Sequence, residues 1–134
     1  MEAIKLSHQL LAAAGSPTTT FAPGEVIFRE GDKADKMYVV LSGEVEVHLQ
    51  GTVIDTLAQG ATFGEMALID GSPRSATVVA KTSSEVAAIN EKTFVLLVDE
   101  MPYFALSTMR NLVDRLRRMN EQWLALRPRA LGGS

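Results

Sequence analysis

Residues 63–77 read F-G-E-M-A-L-I-D-G-S-P-R-S-A-T and bring a glycine, a carboxylate, a short helical turn and one arginine within fifteen positions. Gly64 lets the backbone come close to a ligand. Glu65, Met66, Ala67 and Leu68 can start a helix, whose unsatisfied N–H groups favour an anion. Arg74 offers a planar fork that suits a phosphate through parallel charge-assisted hydrogen bonds. Glu65 is an acceptor and suits a sugar hydroxyl. A phosphate and a sugar hydroxyl together describe a nucleotide. One arginine and one helix end balance about one negative charge, so a monoanionic cyclic phosphodiester fits better than a triphosphate.

Short strands and glycine turns surround this run. Met37, Tyr38, Val39, Val40 and Leu41 form a nearly continuous apolar stretch, and Ser42-Gly43 turns the chain. Residues 44–49 alternate strictly, the mark of a strand with one buried face. Gln50-Gly51 turns, residues 52–57 extend, and Gln59-Gly60 turns again; residues 76–80 and 85–89 supply two later strands. The pattern predicts a mainly β fold, an antiparallel jelly-roll-like β-roll, over residues 18–90. A short helix is expected over residues 4–14, within an N-terminal segment 1–17 broken by Gly15-Ser16-Pro17. Asn90 is a good N-cap for a helix through about Glu100 that stops before Pro102. A second helix carries Leu106, Met109, Leu112, Val113, Leu116, Met119 and Trp123 on one apolar stripe. These two helices make up residues 91–127, and Leu131-Gly132-Gly133-Ser134 reads as a frayed tail.

At 134 residues the chain is sized for a single domain, residues 1–134, with a modest core. It contains no cysteine, which excludes disulfides, thiolate metal sites and thiol catalysis. No window approaches a membrane-spanning length of apolar residues, and no secretory signal opens the chain, so a cytoplasmic protein is expected. Charge is uneven. Before Ala105 seven basic residues face fourteen acidic ones, whereas from Ala105 onward six arginines face Asp114 and Glu121. The arginines of the last helix are expected to solvate its outer face. No helix-turn-helix or aromatic interleaving accompanies them, so no DNA-binding domain is expected.

The pattern F-G-E-x-A-L-x(4)-P-R-[AST]-A-[TS], met at every position by residues 63–77, closely resembles the phosphate-binding cassette of cyclic nucleotide-binding domains. These are the sensor modules of cyclic-nucleotide-gated channels, kinase regulatory subunits and bacterial cAMP receptor proteins. The resemblance extends upstream through Phe21, Pro23-Gly24-Glu25, Ile27-Phe28 and Glu30-Gly31-Asp32, then through residues 37–45, and covers about residues 20–120. It implies that Glu65 bonds the ribose 2′-hydroxyl and that Arg74 pairs with the exocyclic phosphate oxygens. Gly64, Met66 and Ala67 would offer backbone N–H groups, and Ser75 its N–H and hydroxyl. Val47 and Leu57 are expected to meet the purine, with plain core packing as the alternative for both. In channel-like relatives an arginine on the final helix reaches the base and an apolar residue one turn later covers it. Arg115 and Met119 fall at those places, with Arg118 and Trp123 as neighbouring candidates. Asp55 departs from the apolar residue that channel-type relatives often carry there.

Ser75 bears on ligand choice, because a hydroxyl after the arginine accompanies cGMP selectivity in some relatives and phosphate binding in bacterial cAMP receptors. The expected ligand is cAMP, with measurable cGMP binding. Binding should swing the helices after Asn90 over the base, hinging near Asn90 and Pro102, and so regulate a protein effector that is not itself in this chain. Met1 and the N-terminal helix favour a free-standing small protein over an excised module. An enzyme is not expected. His8 and His48 are the only histidines, too few for a cupin-type metal site, and no catalytic triad is visible. The rival expectation is a module that keeps the fold for protein interaction and binds no nucleotide.

Overall fold

The structure is a computed structural model that describes residue 11 and residues 15–126, the side chains of residues 122, 123 and 126 excepted. Strands β1 (Thr18–Phe21), β2 (Val26–Phe28), β3 (Lys36–Ser42), β4 (Val45–Leu49), β5 (Thr52–Leu57) and β6 (Thr62–Phe63) precede a one-turn helix α1 (Met66–Ile69). Strands β7 (Thr77–Ala80) and β8 (Ser84–Asn90) follow, then helices α2 (Glu91–Glu100) and α3 (Pro102–Leu126). Two four-stranded antiparallel sheets result, in the orders β1-β8-β3-β6 and β2-β7-β4-β5. This is the mainly β roll with C-terminal helices that the sequence predicts.

The apolar run in β3 has a physical reason. Met37, Val39 and Leu41 face one way and join Ala87, Ile89, Leu97, Phe104 and Leu11 in a cluster under the helices. Val40 faces the other way, into the roll interior, with Val45, Leu57, Phe63, Val78 and Val86. A strand covered on both faces loses the period-two alternation. β4 keeps it, because only one of its faces is covered: Val45 is buried, while Glu46 and His48 share the outer face and touch at 3.2 Å.

Tight turns set the registers. Gln50 and Gly51 both have positive φ, at 50° and 80°, as a two-residue hairpin between β4 and β5 requires. A bulge then shifts the pairing so that Val47 opposes Asp55 but His48 opposes Val53, leaving Ile54 as the extra residue. Gly43 is tighter still, since a Cβ there would lie 2.2 Å from the Ser83 carbonyl.

The Asn90 cap behaves as expected: its Oδ1 accepts the Thr93 N–H at 2.8 Å. Met101 alone separates α2 from α3, and Pro102 opens α3, where a missing N–H costs nothing. Two strands had no sequence signal of their own. β1 is the polar run Thr18-Thr19-Thr20, recruited by pairing along β8, and β6 is two residues long beside β3. The expected N-terminal helix lies outside the described residues except for Leu11, which is helical and fully buried. The expected tail lies outside them altogether.

Candidate functional site

Residues 63–67 and 72–76 line a cavity of about 640 Å³. That volume is in the range of small-molecule sites. Gly64, Glu65, Met66, Ala67, Arg74 and Ser75 all line it, as do Val47, Arg115 and Met119. Nine of the twelve residues singled out from the sequence therefore meet in one space.

Arg74 is 8% exposed and is held from three sides. Its Nη1 donates to the Gly64 carbonyl at 3.2 Å and its Nη2 to the Lys36 carbonyl at 2.8 Å. The guanidinium carbon sits 4.1 Å over the Phe28 ring and 5.5 Å from that of Tyr38, close enough for cation–π attraction. Beneath it Phe28, Tyr38 and Phe63 form an aromatic cluster with centroids 5.2–5.9 Å apart. Backbone bonds from Gly31 N–H to the Arg74 carbonyl and from Arg74 N–H to the Asp32 carbonyl pin the loop. Burial pulls the guanidinium pKa below its usual value, partly offset by Tyr38, Asp35 and Asp32, yet an arginine stays protonated. Among the described residues no carboxylate pairs with it directly, and its buried Nε has no acceptor. A buried cation with donors to spare suits an anion.

Gly64 is a requirement of this geometry. Its φ is +77°, and a Cβ there would fall 2.6 Å from Arg74 Nη1. Glu65 then turns inward instead of capping α1. It is 5% exposed and makes no cap bond. Its Oε2 accepts the Thr62 hydroxyl at 2.5 Å, and its Oε1 accepts Arg115 Nη1 at 3.2 Å. The dipole-balancing role open to a helix-start carboxylate is thus not the one it plays. Since α1 is one turn long, an anion there would be met by individual N–H groups more than by a macrodipole. The Ala67 N–H itself bends back to the Gly64 carbonyl at 3.3 Å.

Two expectations need correction. Leu57 does not line the cavity: it opposes Val45 and is 4% exposed inside the roll. The β5 bulge delivers Ile54 to the cavity wall beside Val47, with Leu49 nearby. Strict alternation along β5 could not reveal this, because a bulge breaks the count. The arginines of α3 do not all solvate its outer face either. Arg115 turns to the roll, bonding Glu65 and the Thr62 carbonyl, and Arg118 Nη2 meets Asp55 Oδ2 at 3.0 Å. The apolar stripe is correspondingly open, with Met109, Val113, Leu116 and Met119 each 45–58% exposed. The side chain of Trp123 lies outside the described residues. Leu112 and Leu116, three residues before and one after Arg115, complete the helical wall, and their i, i+3, i+4 spacing was the available signal.

The cyclic nucleotide-binding domain family matches residues 18–101. The chain belongs to that family. The domain is 45% identical over 78 residues to a cAMP-dependent protein kinase regulatory subunit of Yarrowia lipolytica, covering 57% of this chain and 21% of that one. It is similar in structure to the Thermus thermophilus catabolite activator protein, with TM-score 0.70 and 30% identity over 90% of this chain and 60% of that one. It also resembles cAMP-bound PfPKA-R, with TM-score 0.66 and 28% identity over 85% of this chain and 39% of that one. The domain thus spans about a fifth of the kinase subunit and three fifths of the activator. Among the described residues no helix is long and apolar enough to cross a membrane, and no cluster of three or more metal-ligating side chains occurs.

Proposed function

We propose that the domain is a receptor for cAMP, with weaker but measurable binding of cGMP, and that it signals by repositioning α2 and α3. The observation that carries this reading is the pairing, in one cavity, of a buried arginine with spare donors and a buried carboxylate 5% exposed. The phosphate would sit on Arg74 and the N–H groups around Met66 and Ser75. The ribose 2′-hydroxyl would donate to Glu65, and the purine would lie between Val47, Ile54 and the α3 wall. Similarity to a cAMP-dependent kinase subunit and to a cAMP-bound structure supports the choice of nucleotide.

Binding regulates only if the two helix positions differ in affinity for the ligand. The α2–α3 junction at Met101 and the Asn90 cap are the places where the chain can turn without breaking a helix. The regulated partner is a separate protein or a further part of a longer chain. The activity is binding, not catalysis. The deciding experiment is calorimetric titration of cAMP and then cGMP into protein freed of nucleotide by unfolding and refolding. One-to-one micromolar or tighter binding supports the reading. No heat from either nucleotide, on folded protein, moves it to an interaction module.

A further inference from the structure

Asp55 stands apart from the phosphate and ribose contacts, yet it joins more of the α3 side than any of them. It lies on β5 opposite Val47, with its side chain 15% exposed. Its Oδ1 accepts the Thr56 N–H at 2.9 Å, which fixes the rotamer. Its Oδ2 receives Arg118 Nη2 at 3.0 Å and has Arg115 Nε at 3.8 Å, an ion pair beyond hydrogen-bond reach. Arg115 continues the chain of charge to Glu65 and to the Thr62 carbonyl. Asp55, Arg115 and Arg118 also share a small cleft with Val47, Ile54 and Met119, and four of these six also line the main cavity.

The alternation of charges matters because little else holds this part of the helix. Val113, Leu116 and Met119 are each 45–58% exposed, so apolar burial contributes weakly beyond Leu112. A carboxylate this well covered is screened less by salt than a surface pair. The geometry points to Asp55 as the positioning residue of the helical wall: it holds Arg118 and Arg115, and so sets how long α3 stays closed over a bound cyclic nucleotide. This rests on the receptor reading for its ligand, but the anchoring itself does not.

The test has a ligand-free arm and a ligand-bound arm. The sequence has no cysteine, so Ser83→Cys with Asn120→Cys, both exposed, takes a spin-label pair reporting the distance from roll to α3. Without nucleotide, Asp55→Asn should broaden that distribution, and Asp55→Glu should largely restore it. With cAMP, Asp55→Asn should speed dissociation roughly tenfold while leaving association unchanged. Arg118→Gln, at a 52% exposed side chain that tolerates change, should act the same way. Combined with Asp55→Asn it should add little, since one interaction cannot be lost twice. An unchanged distance distribution in both single variants overturns the anchor, whether or not nucleotide binds. A broadened distribution with unchanged dissociation overturns the control of residence time. If the unsubstituted protein binds neither cAMP nor cGMP, the receptor reading fails, and the distance arm still decides the anchor.

Discussion

On the roll side of the cavity Phe63 and Val78 are each 2% exposed and Arg74 8%, whereas on the helix side Leu116 is 58% and Met119 48% exposed. The first wall is held by packing and by backbone carbonyls that clamp the arginine. The second is held by ion pairs from Arg115 and Arg118. Packing of the first kind is close to all-or-none, because cores resist small deformation. Ion pairs between a covered carboxylate and a partly exposed arginine hold a helix in place yet can be exchanged one at a time, without undoing a packed core. A sensor needs both, a rigid surface that recognises and a loosely held one that responds. On the proposed receptor reading, this division would put recognition on the roll and response on α3.

Phe63→Ala should separate the walls most clearly. It removes a buried ring under Arg74 and should cost about 3–5 kcal/mol of stability, a large part of a typical domain total, read as a lowered thermal midpoint. If the midpoint hardly moves, the roll-side wall is not the rigid one. Arg74→Ala should next weaken cAMP binding by about 1.5–3 kcal/mol, roughly 10- to 150-fold, measured calorimetrically on folded variant. Unchanged affinity would remove Arg74 from the phosphate.

Gly64→Ala should cost about 1–3 kcal/mol through its positive φ alone, with the guanidinium displaced as well. Both stability and affinity should fall together, in contrast to Arg74→Ala, where affinity should fall further. Leu116→Ala tests the other wall. Stability should stay within about 0.5 kcal/mol, as at exposed sites, while cAMP dissociates faster. A large loss of stability would mean that α3 is held by packing after all.

The smallest effect concerns the rim of the cassette. Asp70 accepts both the N–H and the hydroxyl of Ser72, at 2.9 and 2.6 Å, and these bonds lower its pKa. A depressed carboxylate contributes order above its unfolded pKa and loses it as pH falls through the lower, folded one. The Ser72 amide resonance should therefore shift only below the usual aspartate range, and a midpoint at the ordinary value would deny the turn.

How much of this was legible in the sequence divides along the same line. The β4 alternation, the Asn90 cap and the 63–77 run are local signals, and each lies where the residues place it. The residues that were misplaced depend on pairing between distant segments. Ile54 stands at the cavity wall where the sequence predicts Leu57, because of one bulge against β4. The polar run 18–20 becomes a strand only because β8 offers it an edge. Arg115 and Arg118 are legible as lid candidates, but their carboxylate partners, Glu65 and Asp55, lie fifty and sixty-three residues away and no local signal marks them. Helical periodicity marks an apolar stripe but does not say whether its neighbours are wet.

The length of α3 has a mechanical consequence. Its 25 residues make a rod of about 38 Å at 1.5 Å per residue, starting at the one-residue break before Pro102. Arg115 lies near its midpoint. A tilt of about 10° would move that midpoint by roughly 3 Å and the far end by roughly 6–7 Å. On the proposed receptor reading the rod would act as a lever with a gain of about two, turning an adjustment the size of one hydrogen bond beside Arg115 into a displacement wider than a strand spacing at its far end.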